Sequence, residues 1–189
     1  LPLGSPSALH WVPHDGLRAG VNRVVAGFAK RLGWLMLRTF TVERFKSLVK
    51  LELELGRVNV FVGANGSGKS NLLEALGVLS AATFGRVDDE TLLRRGVRPG
   101  VPRLYKTAFP HQSNVPHIYF GARARSGATF DVTLWNPIEN PSPAWRFKTE
   151  NLRRGPDDPV VTRSTTTAGK HNQEPGLAAL ETVNLRPGD

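Results

Sequence analysis

The sequence contains no cysteine and a single methionine, Met36, among its 189 residues. Without cysteine, a disulfide scaffold, a thiolate zinc site and a cysteine nucleophile are all excluded. No apolar run approaches the roughly 18 to 20 residues that a transmembrane helix needs. The first residues also lack the charged, apolar and cleavage regions of a signal peptide. These absences favour a cytoplasmic protein with no membrane span.

Acidic residues are also scarce. The chain has 16 Asp and Glu against 25 Lys and Arg, which leaves a formal net charge of +9. A basic surplus favours polyanionic partners such as nucleotides or nucleic acid. The length suits one domain with a core of its own, or one domain with an appendage.

Both ends of the chain differ in composition from its middle. Residues 1–35 are predicted to be an extension, first coil and then a basic amphipathic helix. A membrane-surface or targeting helix is one interpretation, and an extension upstream of a true start at Met36 is the favoured one. The last thirty residues or so begin as a polar, Thr-rich segment. Within them, a short apolar helix is predicted at 177–183. We therefore expect residues 36–189 to be part of a domain.

Alternating side chains predict strands near the start of that domain. Residues 37–45 and 49–55 alternate apolar and polar side chains, and Val49, Leu51, Leu53 and Leu55 fall on one face. Residues 58–62, "VNVFV", are mostly apolar without alternating charge, which predicts a strand covered on both faces.

The following segments predict helices and a hairpin. Leu72, Leu73, Leu76 and Leu79 recur at helical spacing. A short helix is expected near 88–96, capped by Asp88 or Asp89 and ended by Gly96. Residues 117–124 and 128–135 alternate around a turn-forming "RSG", which predicts a β-hairpin.

A glycine-rich loop lies between the apolar strand and the first helix. Its residues fit G-x-x-x-x-G-K-[ST], the Walker A or P-loop pattern, at every fixed position. Such a loop aims backbone N–H groups and a helix dipole at phosphates, while Lys69 reaches the β and γ phosphates and Ser70 offers its hydroxyl to Mg²⁺. A flexible glycine-rich turn is the alternative. We predict that ATP and Mg²⁺ bind to Gly63, Ala64, Asn65, Gly66, Ser67, Gly68, Lys69, Ser70 and Asn71.

The stretch "FTVERFKSLVKLELELGRVNVFVGANGSGKSNLLEALGVLS" resembles the N-terminal lobe of the ABC-type ATPase heads of RecF, SMC (structural-maintenance-of-chromosomes) proteins and overcoming-lysogenization-defect nucleases. The resemblance covers residues 37 to about 80. It implies an α/β P-loop NTPase lobe with a mixed sheet and antiparallel strands next to the P-loop strand. It also implies ATP-driven closure of two heads, as a head-to-head homodimer, and a role on DNA in repair, chromosome handling or phage defence.

The same resemblance implies that Lys46 and Ser47 approach the nucleotide. A polar hairpin turn is an equally open interpretation of these two residues. Gln112 is the candidate for a glutamine that senses Mg²⁺ and water, although its loop setting favours plain solvent exposure.

Several parts of a complete head are missing from the sequence. No apolar run ends in Asp-Glu, the Walker B pattern that supplies carboxylates to Mg²⁺ and to the attacking water. Asp131 stands alone in an alternating strand, where a solvent-facing position is favoured. The LSGG-like signature and the later His switch are also absent. We expect residues 36–189 to be a partial ABC-type ATPase domain, able to hydrolyse ATP weakly or not at all by itself.

Other candidate sites are weaker. Four of the five histidines, at positions 10, 14, 111 and 117, are interpreted as solvated rather than metal-binding. A basic run could meet a phosphate backbone or form a solvated connector, the favoured interpretation; it comprises Arg94, Arg95, Arg98, Arg103 and Lys106, with Tyr105 among them. A basic nucleic-acid-binding module with a remnant P-loop and a small P-loop kinase or GTPase remain alternative functions.

Overall fold

Most of the described chain is organised by one antiparallel sheet. The structure is a computed structural model that describes residues 10–11, 36–109 and 115–163. Its strands are β1 (His10–Trp11), β2 (Leu37–Phe45), β3 (Leu48–Glu54), β4 (Phe61–Val62), β5 (His117–Ala124), β6 (Thr129–Trp135), β7 (Arg146–Gly155) and β8 (Asp158–Arg163). Six of them form a sheet in the order β3-β2-β5-β6-β7-β8, and β1 pairs with β4 separately.

The two α-helices among the described residues follow the glycine-rich loop. They are α1 (Lys69–Thr83) and α2 (Asp89–Leu93), followed by a 3₁₀ turn at Pro102–Tyr105. The predicted cap of α2 is confirmed, since the Asp88 side chain accepts a hydrogen bond from the Thr91 amide, and the chain turns at Gly96 with φ 72°. Within the described ranges, neither helix is long and apolar enough to cross a membrane.

The core lies between α1 and one face of the six-stranded sheet, which we call the inner face. Phe40, Val42 and Phe120 are fully buried on that face, and they cluster with Leu72 and Ala75 of α1. Further aromatic packing extends this cluster, because the Phe45 ring stacks on Tyr105 at 6.2 Å and meets Phe120 edge-on at 5.8 Å. The other face of the sheet, the outer face, carries mostly polar side chains.

The helix prediction was wrong at Leu73. Its side chain is 59% exposed, whereas Leu72 and Leu79 are buried as expected. The buried face of α1 is completed by small residues, since Ala75, Ala81 and Ala82 are buried there. Small side chains let the helix approach its neighbours closely. Gly77 shows the same effect, because a Cβ there would lie 2.7 Å from Val97 Cγ2.

The predicted buried strand at 58–62 was also wrong. Only Phe61 and Val62 form a strand, β4, and its pairing is with β1 rather than with the six-stranded sheet. Val58, Val60 and Val62 are 59%, 62% and 67% exposed. An apolar run predicts burial only if another part of the protein covers it, and the described residues do not cover these valines.

The sheet itself differs from the predicted arrangement. Every strand pair among the described residues is antiparallel, so the mixed sheet expected next to the P-loop strand is not observed there. The strands at 37–45 and near 49–55 and the hairpin of β5 and β6 are confirmed. Val49 does not share the burial of Leu53, because it is 40% exposed, whereas Leu53 is 9% exposed. Strands β7 and β8 were not predicted.

Candidate functional site

Backbone geometry explains the glycines of the loop before α1. Gly66 and Gly68 have φ values of 83° and 96°, in the left-handed region that side chains with a Cβ rarely adopt. Glycine is needed at position 63 for a different reason, because a Cβ there would lie 2.7 Å from Ser67 Oγ. The loop is therefore wound tightly enough that other residue types would strain it at these three positions.

Lys69 lies over this loop. Its ammonium donates hydrogen bonds to the carbonyl oxygens of Gly63 and Ala64, both at 2.7 Å, and to Ser67 Oγ at 3.3 Å. One cation is thus held at the centre of the loop by backbone oxygens. Because those partners are carbonyl and hydroxyl oxygens and not carboxylates, no described residue compensates the full positive charge there.

The N-terminus of α1 adds to this positive potential. Gly68 is its N-cap and supplies no side-chain acceptor, and the first turn contains no acidic residue. The first N–H groups of a helix have no partner within the helix, and its dipole is positive at that end. Ser70 is exposed in the same turn. Backbone N–H groups, a lysine and a hydroxyl therefore converge on one place suited to a phosphate group.

The turn between β2 and β3 lies against the same end of α1. Asn71 donates its side-chain amide to Ser47 Oγ at 2.8 Å, which joins this turn to the helix. Lys46 adopts a left-handed φ of 50°, and its ammonium lies 5.0 Å from the ring centre of Tyr105. That ammonium pairs with Glu74. Lys46 and Ser47 are thus brought next to the loop, but the charge of Lys46 is directed at a carboxylate.

Glu74 joins three segments of the site, and the sequence analysis missed it. Its carboxylate is only 4% exposed, and it accepts hydrogen bonds from Lys46 and from Arg98. Burial alone would raise the pKa of Glu74, but the hydrogen bonds and charges of Lys46 and Arg98 outweigh that effect and lower it. A signal was available, because Glu74 is the one acidic residue of α1 and falls among apolar residues, three positions after Asn71.

The predicted basic run does not form one surface. Lys106 and Tyr105 are 6% and 2% exposed, so neither the phosphate-contacting nor the solvated interpretation holds for them. Lys106 donates to the carbonyl oxygens of Asn136 at 2.6 Å and Pro137 at 3.2 Å. Arg95 lies over the Phe84 ring at 4.6 Å.

The remaining candidates are scattered or lie outside the described residues. Gln112 and the histidines at 14 and 111 fall outside them. Asp131 is on the outer face, where it accepts a hydrogen bond of 2.7 Å from the Tyr119 hydroxyl. Among the described residues, no three His, Asp or Glu side chains are grouped to hold a metal ion.

Parts of the chain are similar to known proteins. Residues 58–150 match the sequence family described as "AAA domain, putative AbiEii toxin, Type IV TA system". The chain is also 38% identical over 107 residues to the DNA replication and repair protein RecF of Paenarthrobacter aurescens. The chain resembles a P-loop ATPase head of the RecF and SMC kind.

Other RecF proteins show the same similarity over shorter or more divergent segments. The RecF protein of Rhodococcus erythropolis is 41% identical over 64 residues, or 33% of this chain and 16% of that protein. The RecF protein of Phocaeicola vulgatus is 28% identical over 99 residues, or 51% of this chain and 26% of that protein. The match to the P. aurescens protein covers 55% of this chain and 26% of that relative, so the matched segments span about a quarter of these relatives or less.

Similarity to a P-loop ATPase head is consistent with the local geometry. The matched residues 58–150 include the glycine-rich loop, α1 and the hairpin of β5 and β6.

Proposed function

We propose that this chain binds ATP with Mg²⁺ through residues 63–71 and serves as the nucleotide-binding part of an ATPase head that acts on DNA. The observation that carries the proposal is the position of Lys69. Its ammonium lies at the centre of the loop, next to the uncapped N-terminus of α1, with only neutral oxygen partners. A triphosphate would supply the negative charge that this arrangement lacks.

The residues present fit such a ligand. Residues Gly63 to Gly66 and Ser70 are exposed and accessible to phosphates. Mg²⁺ usually takes one or two protein ligands and completes its shell with phosphate oxygens and water. The hydroxyl of Ser70 would supply one oxygen ligand when the phosphates are bound, phosphate oxygens and water would supply others, and the metal would offset the phosphate charge.

Hydrolysis requires more than these residues. A water molecule that attacks the γ phosphate needs a group to orient it or accept its proton. Glu74 is the carboxylate on α1, and it is buried and already paired with Lys46 and Arg98. We therefore expect ATP binding with very slow turnover by residues 1–189. Head-to-head closure and DNA engagement by the complete protein are proposed on the resemblance to RecF and SMC heads.

The direct test is a Lys69→Ala substitution. Removing charge-assisted hydrogen bonds worth about 1.5 to 3 kcal/mol predicts an ATP affinity roughly 10- to 100-fold lower. The matched control is Lys50→Ala, since Lys50 has a side chain 74% exposed and lies in β3, outside the loop. Calorimetric titration with Mg-ATP measures both variants. Equal affinity of Lys69→Ala and the unaltered chain would contradict the proposal.

A further inference from the structure

One end of the outer face carries a row of basic and aromatic side chains. His117 of β5 is paired with Trp135 of β6, and Trp135 is paired with Arg146 of β7. Directly opposed residues in antiparallel strands share a face of the sheet. Their sequence neighbours Ile118, Leu134 and Phe147 are buried on the inner face, so the row lies on the outer face.

Two more cations lie near this row, at irregular points of their strands. Arg44 is exposed and has a left-handed φ of 64°, which departs from the extended backbone of a strand. Lys148 is the extra residue of a bulge, since Thr133 pairs with Thr149 while Leu134 pairs with Phe147. Bulges redirect side chains away from the regular alternation of a strand.

The electrostatic surroundings of His117 agree with this placement. Burial lowers the pKa of His117, and the positive charges of Lys148, Arg44 and Lys106 lower it further. We call Arg44, His117, Trp135, Arg146 and Lys148 the basic patch.

No described carboxylate pairs with the exposed or half-buried cations of the basic patch. In the part of the chain that the structure describes, Arg44, Arg146 and Lys148 form no ion pair with a carboxylate. Glu43 is next to Arg44 in sequence but pairs with Lys50 at 3.2 Å. Like charges on one surface repel each other, and a bound polyanion would offset that repulsion.

An aromatic ring orients one of the cations. The Arg146 guanidinium lies over the Trp135 ring, 5.5 Å from its centre. Its Nε is buried without a hydrogen-bond partner. Stacking on an aromatic face restrains the planar guanidinium before any ligand arrives, so less conformational entropy is lost on binding.

The width of the basic patch indicates the kind of anion. Arg44 and Lys148 lie on β2 and β7, and β5 and β6 are between these strands. Three strand spacings amount to about 14 Å, which is wider than one phosphate group. The cations are therefore spaced for an extended polyanion with repeated charges.

We propose that the basic patch binds the phosphate backbone of DNA. The inference rests on the DNA role in the proposed function but not on ATP binding.

The test compares two double substitutions that remove the same charge. Arg44→Ala with Lys148→Ala removes two cations of the basic patch. Arg123→Ala with Arg125→Ala removes two exposed cations at and just beyond the other end of β5, about 20 Å from His117 at 3.3 Å per residue. Thermal unfolding of both proteins verifies that they fold. Fluorescence anisotropy then measures binding of a labelled duplex of about 30 base pairs at several salt concentrations, without nucleotide.

We expect the patch variant to bind DNA at least about tenfold more weakly. The slope of log K against log [salt] should fall by about 2, because each cation that neutralises a phosphate contributes about 1 to that slope. The control should change affinity less than about twofold. Arg44→Glu, a single change at an exposed position, should also weaken binding.

Three results would overturn the proposal. They are an absence of salt-dependent DNA binding by the unaltered chain, equally weakened binding by the two double variants, and patch-dependent binding to phosphatidylserine vesicles but not to DNA. Because no nucleotide is present, failure of ATP binding by this chain would leave these measurements interpretable.

Discussion

The two faces of the six-stranded sheet differ in what their side chains contact. On the inner face, Phe40, Val42 and Phe120 have no exposed surface and pack with α1. On the outer face, Tyr119 and Asp131 are only half-buried and bond to each other. The same strands thus supply an apolar core on one side and a charged surface on the other. Stability should depend mainly on the inner face, and recognition on the outer face and the loop before α1.

The largest effect should separate two neighbours in β5. Phe120→Ala should lower the free energy of unfolding by about 3 to 5 kcal/mol, because it leaves a cavity in the core. Tyr119→Phe should cost about 1 kcal/mol, since it removes only the hydrogen bond to Asp131. Urea unfolding monitored by circular dichroism measures both. Similar destabilisation of the two variants would contradict the claim that stability depends mainly on the inner face.

A smaller effect should distinguish a buried carboxylate from an exposed one. Glu74→Gln should lower the free energy of unfolding by about 2 to 3 kcal/mol, less than for a fully buried pair because solvent screens Arg98. The Arg98 side chain is 67% exposed. Glu90→Gln, in an exposed pair with Arg94 on α2, should cost about 0.3 to 0.5 kcal/mol. If Glu74→Gln unfolds at the same urea concentration as Glu90→Gln, the buried triad does not stabilise α1.

The smallest effect concerns pH. Burial lowers the pKa of Lys106 below its usual 10.5. Between the lowered value and 10.5, the unfolded state binds the proton and the folded state does not, so stability should rise with pH in that window. Lys106→Met should flatten this rise, whose maximum slope is about 1.4 kcal/mol per pH unit.

The control is Lys50→Met, at an exposed site, which should leave the rise of stability with pH unchanged. Unfolding of both variants and the unaltered chain, followed between pH 8 and 10.5, tests this, and an unchanged slope in Lys106→Met would contradict it.

Local patterns predicted the parts of the fold that depend on local physics. The alternation in 37–45 and the loop pattern before α1 each correspond to an observed element. The spacing of the loop glycines already indicated a tightly wound backbone. Gly66 and Gly68 have the positive φ values that such a backbone requires. Asp88 or Asp89 was predicted as a cap, and Asp88 takes that position, because a capping side chain needs only an amide three residues away.

Features that depend on residues distant in sequence could not be predicted from local patterns. The exposure of Val58 and Val60 depends on what covers the strand, which the run of valines does not specify. Glu74 contacts Lys46 and Arg98, which are 28 and 24 residues away in sequence. Polar side chains are frequent in β7, and this strand was not predicted. One of them, Glu150, is accommodated in the sheet because Arg163 of β8 lies beside its carboxylate.

The central claim is that the loop before α1 recognises the phosphates of ATP. It is tested most directly by calorimetric titration of the unaltered chain with ATP and with AMP, both in the presence of Mg²⁺. Because Lys69 and the N-terminus of α1 should contact the β and γ phosphates, we predict that AMP binds at least about tenfold more weakly than ATP. Equal affinities, or no binding of ATP, would contradict the claim.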